Sequence, residues 1–324
     1  GTPGQSVDQI RHDRKKTIYS LMEKFQPNLF IVELYPFGRS MFGFELEPLL
    51  ADIREGRLGQ IRAVCSLRDI LVEKKDPAAY EERVIQKLNR HFDALLIHSD
   101  PEILCLEETF GRVADINIPV VYTGFIAQQT DAANGRRLRG ELALSSDQKL
   151  IVASAGGGRS GYRLLTSVID ACELLRDRLP IRLEVFTGPF MENEEFKNLT
   201  ARTSTAFRIR RYTKRFLDYL YAADLSVSLA GYNTCMNLLL TRVSALAYPY
   251  SRQQEQPLRA NKIKTLLPMK ILNSADIQPV PLSNHMDEML HHPGIKDAPS
   301  VDLDGAAIAA SFLDRWIDES IINV

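Results

Sequence analysis

The chain has 324 residues, 45% of them hydrophobic and 25% charged, a globular composition with length for two domains of roughly 150 residues each. Lysine and arginine total 40 against 41 aspartates and glutamates, so no overall basic field would hold nucleic acid by counterion release, and no nucleic-acid partner is expected. The longest apolar runs, such as Leu225 to Ala230, fall far short of the roughly 20 residues a membrane span needs. No transmembrane segment is therefore expected, while peripheral contact through a local patch stays open. Cys65, Cys105, Cys172 and Cys235 contain no CxxC pair, and three lie inside apolar patterns, which reads as reduced core thiols in a cytoplasmic protein. The opening Gly-Thr-Pro-Gly has no signal-like apolar region and reads as a fragment or processed end.

Along the chain, Ile18, Leu21, Met22 and Phe25 recur at helical spacing, and Leu29 to Val32 reads as a buried strand. Further strands are expected near Ile61 to Cys65, Ala94 to Ile97 and Val120 to Tyr122, with a helix around Tyr80 to Leu88. Such alternation predicts a parallel sheet with crossover helices. From Gln128 to Asp147 polar and charged residues dominate, and the stretch reads as a linker. The alternation then resumes: Leu150 to Ala153, Leu183 to Phe186, Phe207 to Ile209, Leu225 to Leu229, Ala245 to Tyr248 and Met269 to Leu272 read as strands. The fold class is α/β, with a complete doubly wound second half. A final helix carries Ile308, Phe312, Leu313, Trp316 and Ile317 on one face, so it must pack on something.

Three strand-to-helix turns of the second half draw attention, because open α/β sheets bind ligands there. Gly156, Gly157 and Gly158 open the turn that continues to Gly161; alone, it suits a phosphate cradle or a plain chain reversal equally well. Ala230-Gly231-Tyr232-Asn233-Thr234 adds a second glycine turn, with a hydroxyl beside helix N-terminal amides, and the pair together favours a pyrophosphate. Pro249 to Ala260 supplies Glu255 and Gln256, suited to sugar hydroxyls. Thr187-Gly188-Pro189 reads as a simple turn. No paired carboxylates sit in a suitable loop to hold Mg²⁺, so metal-independent chemistry is expected and no cofactor beyond a nucleotide-sugar co-substrate.

In the first half, Glu33-Leu34-Tyr35-Pro36-Phe37-Gly38-Arg39 closes a strand with a carboxylate, a guanidinium and aromatics, and Ser66-Leu67-Arg68-Asp69 closes the next. Glu33 is the candidate base, and Phe37, Gly38, Arg39, Arg68 and Asp69 are acceptor-side candidates; for Arg68 and Asp69 a structural ion pair is the competing reading. His91, His98, His285, His291 and His292 show no metal-ligand spacing. His98 stands apart at a strand end, where Ser99 or Asp100 reads as a cap.

The segments ELYPFGR (from Glu33), SLRD (from Ser66), AGGG (from Ala155) and GYNT (from Gly231) resemble the GT-B glycosyltransferases, in particular the MurG-like, family 28-like branch and its uncharacterised predicted relatives, over most of the chain. The resemblance implies two Rossmann-like domains facing a cleft: residues 1–127 as acceptor side, with the helix 305–324 crossing back to it, 128–147 as linker, and 148–304 as donor domain. It also implies that Gly156, Gly157 and Gly158 approach the diphosphate and that Tyr212 and Thr213 hold the nucleobase. Gly231, Tyr232, Asn233 and Thr234 would meet the phosphates, and Glu255 and Gln256 the sugar. Asn237 stands where the family usually has a ribose-binding Glu, and Gln128 where it tends to have Arg. The family's opening strand and Gly/His-bearing loop, a frequent source of the base, is expected to be missing. The implied activity is inverting transfer of a sugar from a nucleoside diphosphate, UDP in the first instance, to a hydroxyl on a small-molecule or lipid-linked acceptor. A GT-B hydrolase or epimerase, or a non-catalytic nucleotide-sugar-binding homologue, is the alternative.

Overall fold

The computed structural model describes residues 6–72, 74–249, 254–291 and 301–322, with side chains to residue 317; residues 250–253 and His292 lie outside them. The chain divides into two compact units, residues 1–126 with 304–324, and residues 127–303.

In the first unit, helix α1 (Val7–Phe25) precedes four parallel strands, β1 (Leu29–Glu33), β2 (Arg62–Leu67), β3 (Ala94–Ile97) and β4 (Val120–Tyr122), which lie side by side in chain order. Right-handed crossovers that all step the same way leave their helices on one face. Accordingly α2 (Gly43–Arg54) and α3 (Pro77–His91) share a face, where Cys65, Leu67, Leu95 and Ile97 pack with Leu49, Leu50, Val84 and Leu88. Asp76 starts α3 by accepting the Ala79 N–H at 3.1 Å, and Pro77 fills a position whose N–H needs no partner. Strand side chains alternate, so Val64, Ala94 and Leu96 face the other way. There Ala309 and Leu313 of α11 (Gly305–Ile322) cover them, flanked by Phe312 and Trp316, which is what the apolar face of that helix requires.

The second unit begins with α4 (Ala133–Glu141), inside the stretch read as a linker. Only Gly135 and Leu138 of this helix are buried, so its polar composition hides it. It docks on α7 (Phe216–Ala222) through Gly135, where a Cβ would stand 2.6 Å from the Tyr221 Cβ, and Arg139 ties it to the Ala222 carbonyl (2.7 Å) and Asp224 (3.0 Å). Six parallel strands follow: β5 (Lys149–Ser154), β6 (Ile181–Phe186), β7 (Phe207–Arg210), β8 (Leu225–Leu229), β9 (Ala245–Tyr248) and β10 (Met269–Ile271), in the spatial order β10-β9-β8-β5-β6-β7. Leu150 to Ser154 are all buried, as a strand covered on both faces must be. The covering helices are α5 (Tyr162–Leu175), α6 (Asn193–Thr200), α8 (Tyr232–Thr241), α9 (Glu255–Ile263) and α10 (Pro279–His291). The chain steps outward from β5 to β7 and then returns to lay β8 on the opposite side of β5. The connections leaving β5 and β8 therefore diverge, opening a crevice at the carboxyl edge of the sheet. Ser154 and Ser228 face each other in register at that point.

Cys65, Cys172 and Cys235 are buried, Cys105 is partly so, and none of the four forms a disulfide. Among the described residues no helix is long and apolar enough to cross a membrane, and no group of three His, Cys, Asp or Glu side chains could hold a metal ion.

Replacing Leu313 with Ala should expose the Val64–Leu96 face and lower unfolding stability by about 2–4 kcal/mol in urea titration. A loss below about 0.5 kcal/mol would mean that α11 does not seal the first sheet.

Candidate functional site

At the β5–β8 crevice, Gly156 and Gly158 leave β5 with φ of +56° and +97°, a region that side chains rarely adopt. The turn that leaves β6 lies directly against it. A Cβ on Gly188 (φ +87°) would stand 2.4 Å from the Gly156 carbonyl oxygen, and one on Gly158 would stand 2.5 Å from the Thr187 carbonyl oxygen. The Phe190 N–H donates to the Gly157 carbonyl (2.9 Å) and the Gly188 N–H to the Arg211 carbonyl (2.8 Å), so the ends of β5, β6 and β7 are laced together. Gly188 is thus more than the simple turn read from the sequence. The Gly158 N–H donates to the Ala155 carbonyl at 3.0 Å, which removes it from the expected phosphate cradle. The N–H groups of Gly156 and Gly157 donate to no backbone carbonyl among the described residues.

Helix α8 starts at the same edge. Its N-cap, Gly231, has no side chain to satisfy the first turn, and the Asn233 and Thr234 N–H groups donate to no backbone carbonyl among the described residues. Asn233, Thr234 and, one turn on, Asn237 line a cavity of about 200 Å³ together with Ser154, Gly156, Gly188 and Pro189. Arg211, Tyr212, Thr213, Phe186 and Phe216 complete its wall. Phe186 is braced edge-on by Phe216 (5.5 Å) and Tyr219 (4.9 Å), while Tyr212 is 64% exposed at the mouth. The Arg211 guanidinium is held by the Met191 carbonyl (2.8 Å) and Asn193 Oδ1 (2.7 Å), so it fixes the wall. The Ser154 and Ser228 hydroxyls are buried without a hydrogen-bond partner among the described residues, and that of Ser154 borders the cavity. The site offers unengaged amides, hydroxyls and an aromatic wall, and among the described residues that line it none is acidic. That combination suits a diphosphate attached to a planar base.

Of the expected donor residues, Gly157, Gly158 and Gly231 belong to the turns at the cavity edge without lining it, and Tyr232, Glu255 and Gln256 do not line it either. Tyr232 is buried beneath Arg259, whose guanidinium lies 5.5 Å from the ring centre. Glu255 accepts from Arg259 Nη2 at 2.8 Å, and the same guanidinium donates to the Ala230 carbonyl at 3.3 Å. Arg259 is 1% exposed, and a buried cation needs such partners. Glu255 therefore clamps α9 to the turn before α8. The Gln256 Oε1 is buried and has no hydrogen-bond partner among the described residues.

In the first unit the expected acceptor residues separate in the same way. Phe37 is buried, edge-on to Phe110 at 5.3 Å, and belongs to the core. Asp69 is 1% exposed and accepts the Ile70 N–H at 2.8 Å, a structural position. Gly38 closes a turn through its N–H to the Leu34 carbonyl (2.7 Å). Glu33, Arg39 and Arg68 do come together: Arg39 Nη2 donates to one carboxylate oxygen at 2.8 Å, and Arg68 Nη2 to the other at 2.8 Å. Arg68 thus pairs with Glu33. Burial alone would raise the Glu33 carboxyl, but hydrogen bonds and charge from Arg68, then Arg39, outweigh it and hold it below the ordinary carboxylate range. A carboxylate so stabilised as an anion is a weak proton acceptor, which argues against Glu33 as the base.

Residues 155–301 match the profile of the Glycosyltransferase family 28 C-terminal domain. The second unit carries that family 28 domain. Over 135 residues the chain is 32% identical to the UDP-N-acetylglucosamine--N-acetylmuramyl-(pentapeptide) pyrophosphoryl-undecaprenol N-acetylglucosamine transferase of Carboxydothermus hydrogenoformans, a stretch covering 39% of this chain and 34% of that enzyme. The chain thus aligns with only about a third of that relative's length. Among solved structures it is similar to Acinetobacter baumannii MurG (TM-score 0.51, 14% identity, 88% of this chain and 71% of that one). It is also similar to a putative UDP-N-acetylglucosamine 2-epimerase from Listeria monocytogenes (TM-score 0.60, 12% identity, 98% and 82%). The fold is GT-B, and the resemblance to the MurG-like branch read from the sequence rests on a matching domain.

At this cavity, sequence reasoning passed over Ser154, Phe186, Arg211 and Phe216 and read Gly188 only as a turn. The only signal for them was position, each standing at or just beyond a strand end or at a helix start. The interlocked turns predict an order of alanine costs. Gly188→Ala should lower stability most, by more than about 2 kcal/mol, because backbone must move. Gly156→Ala faces open space and should cost about 1–2 kcal/mol for its φ alone. Gly157→Ala meets only Phe190 at 3.6 Å and should be nearly neutral. Melting temperatures in any other order would refute the interlock.

Proposed function

We propose that the protein is a glycosyltransferase that moves a sugar from a nucleoside diphosphate donor, UDP-linked, to a hydroxyl acceptor, with inversion and without a metal ion. The observation that carries this reading is the meeting, in one crevice, of the Gly156 turn, the open first turn of α8 and the Tyr212–Phe216 wall. In the transferase transition state charge grows on the departing diphosphate. Fixed amides and a helix N-terminus aimed at that charge stabilise it without reorganising, at about 2.7–4 kcal/mol per well-placed donor. Thr234 and Ser154 add hydroxyl donors, and the aromatic wall takes the base. Asn237 lies three residues beyond Thr234 on the same helical face, where it reaches a ribose hydroxyl.

Uridine is supported by the named donor of the Carboxydothermus relative. Metal independence is supported by the carboxylate-free lining, since a bound Mg²⁺ takes at least one or two carboxylates. The acceptor belongs to the first unit, whose carboxyl sheet edge presents Glu33, Arg39 and Arg68, and its hydroxyl is carried on a small or lipid-linked molecule. A cytoplasmic protein with thiols outside any disulfide, in contact with a nucleotide-sugar pool, fits the same reading.

UDP at about 100 times its dissociation constant should stabilise the protein by about 2.7 kcal/mol, read as a rise in melting temperature that EDTA leaves unchanged. Thr234→Val and Tyr212→Ala should each weaken UDP binding at least about tenfold in calorimetry, and Asn237→Glu should tighten it. No response to UDP, GDP or dTDP would sink the donor site. Release of free sugar in preference to transfer when hydroxyl acceptors are supplied would make the enzyme a hydrolase instead.

A further inference from the structure

His98 closes β3 at the carboxyl edge of the first sheet, and its two ring nitrogens meet hydroxyls from the strands on either side. Nε2 lies 2.7 Å from Ser66 Oγ on β2, and Nδ1 lies 2.9 Å from Thr123 Oγ1, just after β4. The Thr123 hydroxyl is fully buried and donates toward the Gly124 (3.0 Å) and Ile97 (3.3 Å) carbonyls. A hydroxyl has one proton; the Ile97 carbonyl already accepts the Thr123 N–H (2.9 Å), and we assign the Thr123 proton to the Gly124 carbonyl, so that Thr123 accepts from His98 and Nδ1 carries the hydrogen. Nε2 is then the lone-pair nitrogen, and the Ser66 hydroxyl donates to it. A hydroxyl, a base and a buried group that orients the base within hydrogen-bond reach form the arrangement that activates hydroxyl oxygens. Core packing alone would not need an imidazole there, with both flanking strands contributing a hydroxyl.

We infer that Ser66, His98 and Thr123 form the proton-accepting relay of this transferase, with Thr123 fixing the tautomer and Glu33 serving as the anion that balances the imidazolium. The inference rests on the proposed sugar transfer. The acceptor O–H bond breaks and its proton passes to Ser66 Oγ as the Ser66 proton passes to His98 Nε2. The acceptor oxygen bonds to the anomeric carbon, and the bond from that carbon to the diphosphate breaks with its electron pair leaving on the nucleotide. The charged groups acting on the ring are Glu33 at the end of β1 and Arg68 just after β2, while the β2 and β4 neighbours Ser66 and Thr123 are neutral. Burial lowers the imidazole from its ordinary value, Glu33 opposes this, and Arg68 adds to it. The ring is therefore neutral, and able to accept a proton, at neutral pH. The relay carries a proton over residues 25 and 32 positions apart in sequence, which is why no local motif announced it.

The test is release of UDP from UDP-N-acetylglucosamine with water as acceptor, followed between about pH 5 and 9, with UDP affinity and melting temperature measured alongside. The intact protein should lose activity in acid with an apparent pKa below about 6.5. His98→Asn should remove that acid limb and lower the rate by about 10²–10⁴-fold, with UDP affinity unchanged. Ser66→Ala should act in the same direction. Thr123→Val should shift the limb and slow turnover, and Thr123→Ser should restore both, which a merely structural Thr123 would not do. Nitrogen-15 NMR of labelled histidine gives a readout independent of turnover, and His98 should show a protonated Nδ1 and a bare Nε2 at neutral pH. The opposite tautomer, or wild-type rate and acid limb in His98→Asn, overturns the relay while leaving the donor site standing. Failure of the intact protein to bind UDP overturns the donor reading instead.

Discussion

The second sheet depends on one backbone interlock. The turn after β5 and the turn after β6 approach so closely that neither Gly158 nor Gly188 has room for a Cβ. Close approach brings their carbonyls and amides into mutual hydrogen bonding, which fixes the direction of the chain as it leaves β5. With the turn pinned from below, the Gly156 and Gly157 amides are left without carbonyl partners at the point where β5 and β8 diverge. Unsatisfied amides are costly when buried and harmless when a ligand or water can reach them, so such a site is stable only at a cavity. The topology supplies that cavity, and the glycines allow the backbone to use it.

Charge is managed away from the cavity. Arg259 is fully buried but held by Glu255 and the Ala230 carbonyl, which fastens α9 to the start of α8. Glu184, completely buried on β6, is flanked by Arg182 at 2.9 Å and Arg210 at 3.3 Å. Arg211 is tied to backbone and to Asn193. The cavity is thereby lined by neutral donors and aromatic carbon, save for the tethered Arg211, and these residues keep their geometry because the ionic groups around them are already paired. The first sheet works differently. Its carboxyl edge runs Glu33, Ser66, His98 and Thr123 across four adjacent strands, a row in which an anchored anion, a hydroxyl and a neutral imidazole are neighbours.

The strands were legible because parallel strands covered on both faces are continuous apolar runs; Ala94 to Ile97 and Ala245 to Tyr248, both buried throughout, match the structure residue for residue. Turn glycines at strand ends were legible for the same reason. Side-chain direction at a turn was not. Tyr232 and Phe37 stand beside ligand-facing positions and yet point inward, because one peptide rotation decides the matter and no periodicity records it. Helix α4 was hidden because it is held by one glycine contact and by Arg139 bonded to carbonyls, which composition reads as linker. Gly188 was undervalued because its need for a missing Cβ arises only from a second turn over 30 residues earlier in the chain.

The central claim is that the β5 and α8 turns hold a diphosphate on their amides. The most direct measurement is amide proton–nitrogen NMR of the full chain during a UDP titration. The Gly156, Gly157, Asn233 and Thr234 resonances should shift strongly and saturably, while that of Gly158, already bonded to Ala155, should move far less. Saturable UDP binding that leaves those four amides unmoved would contradict the account.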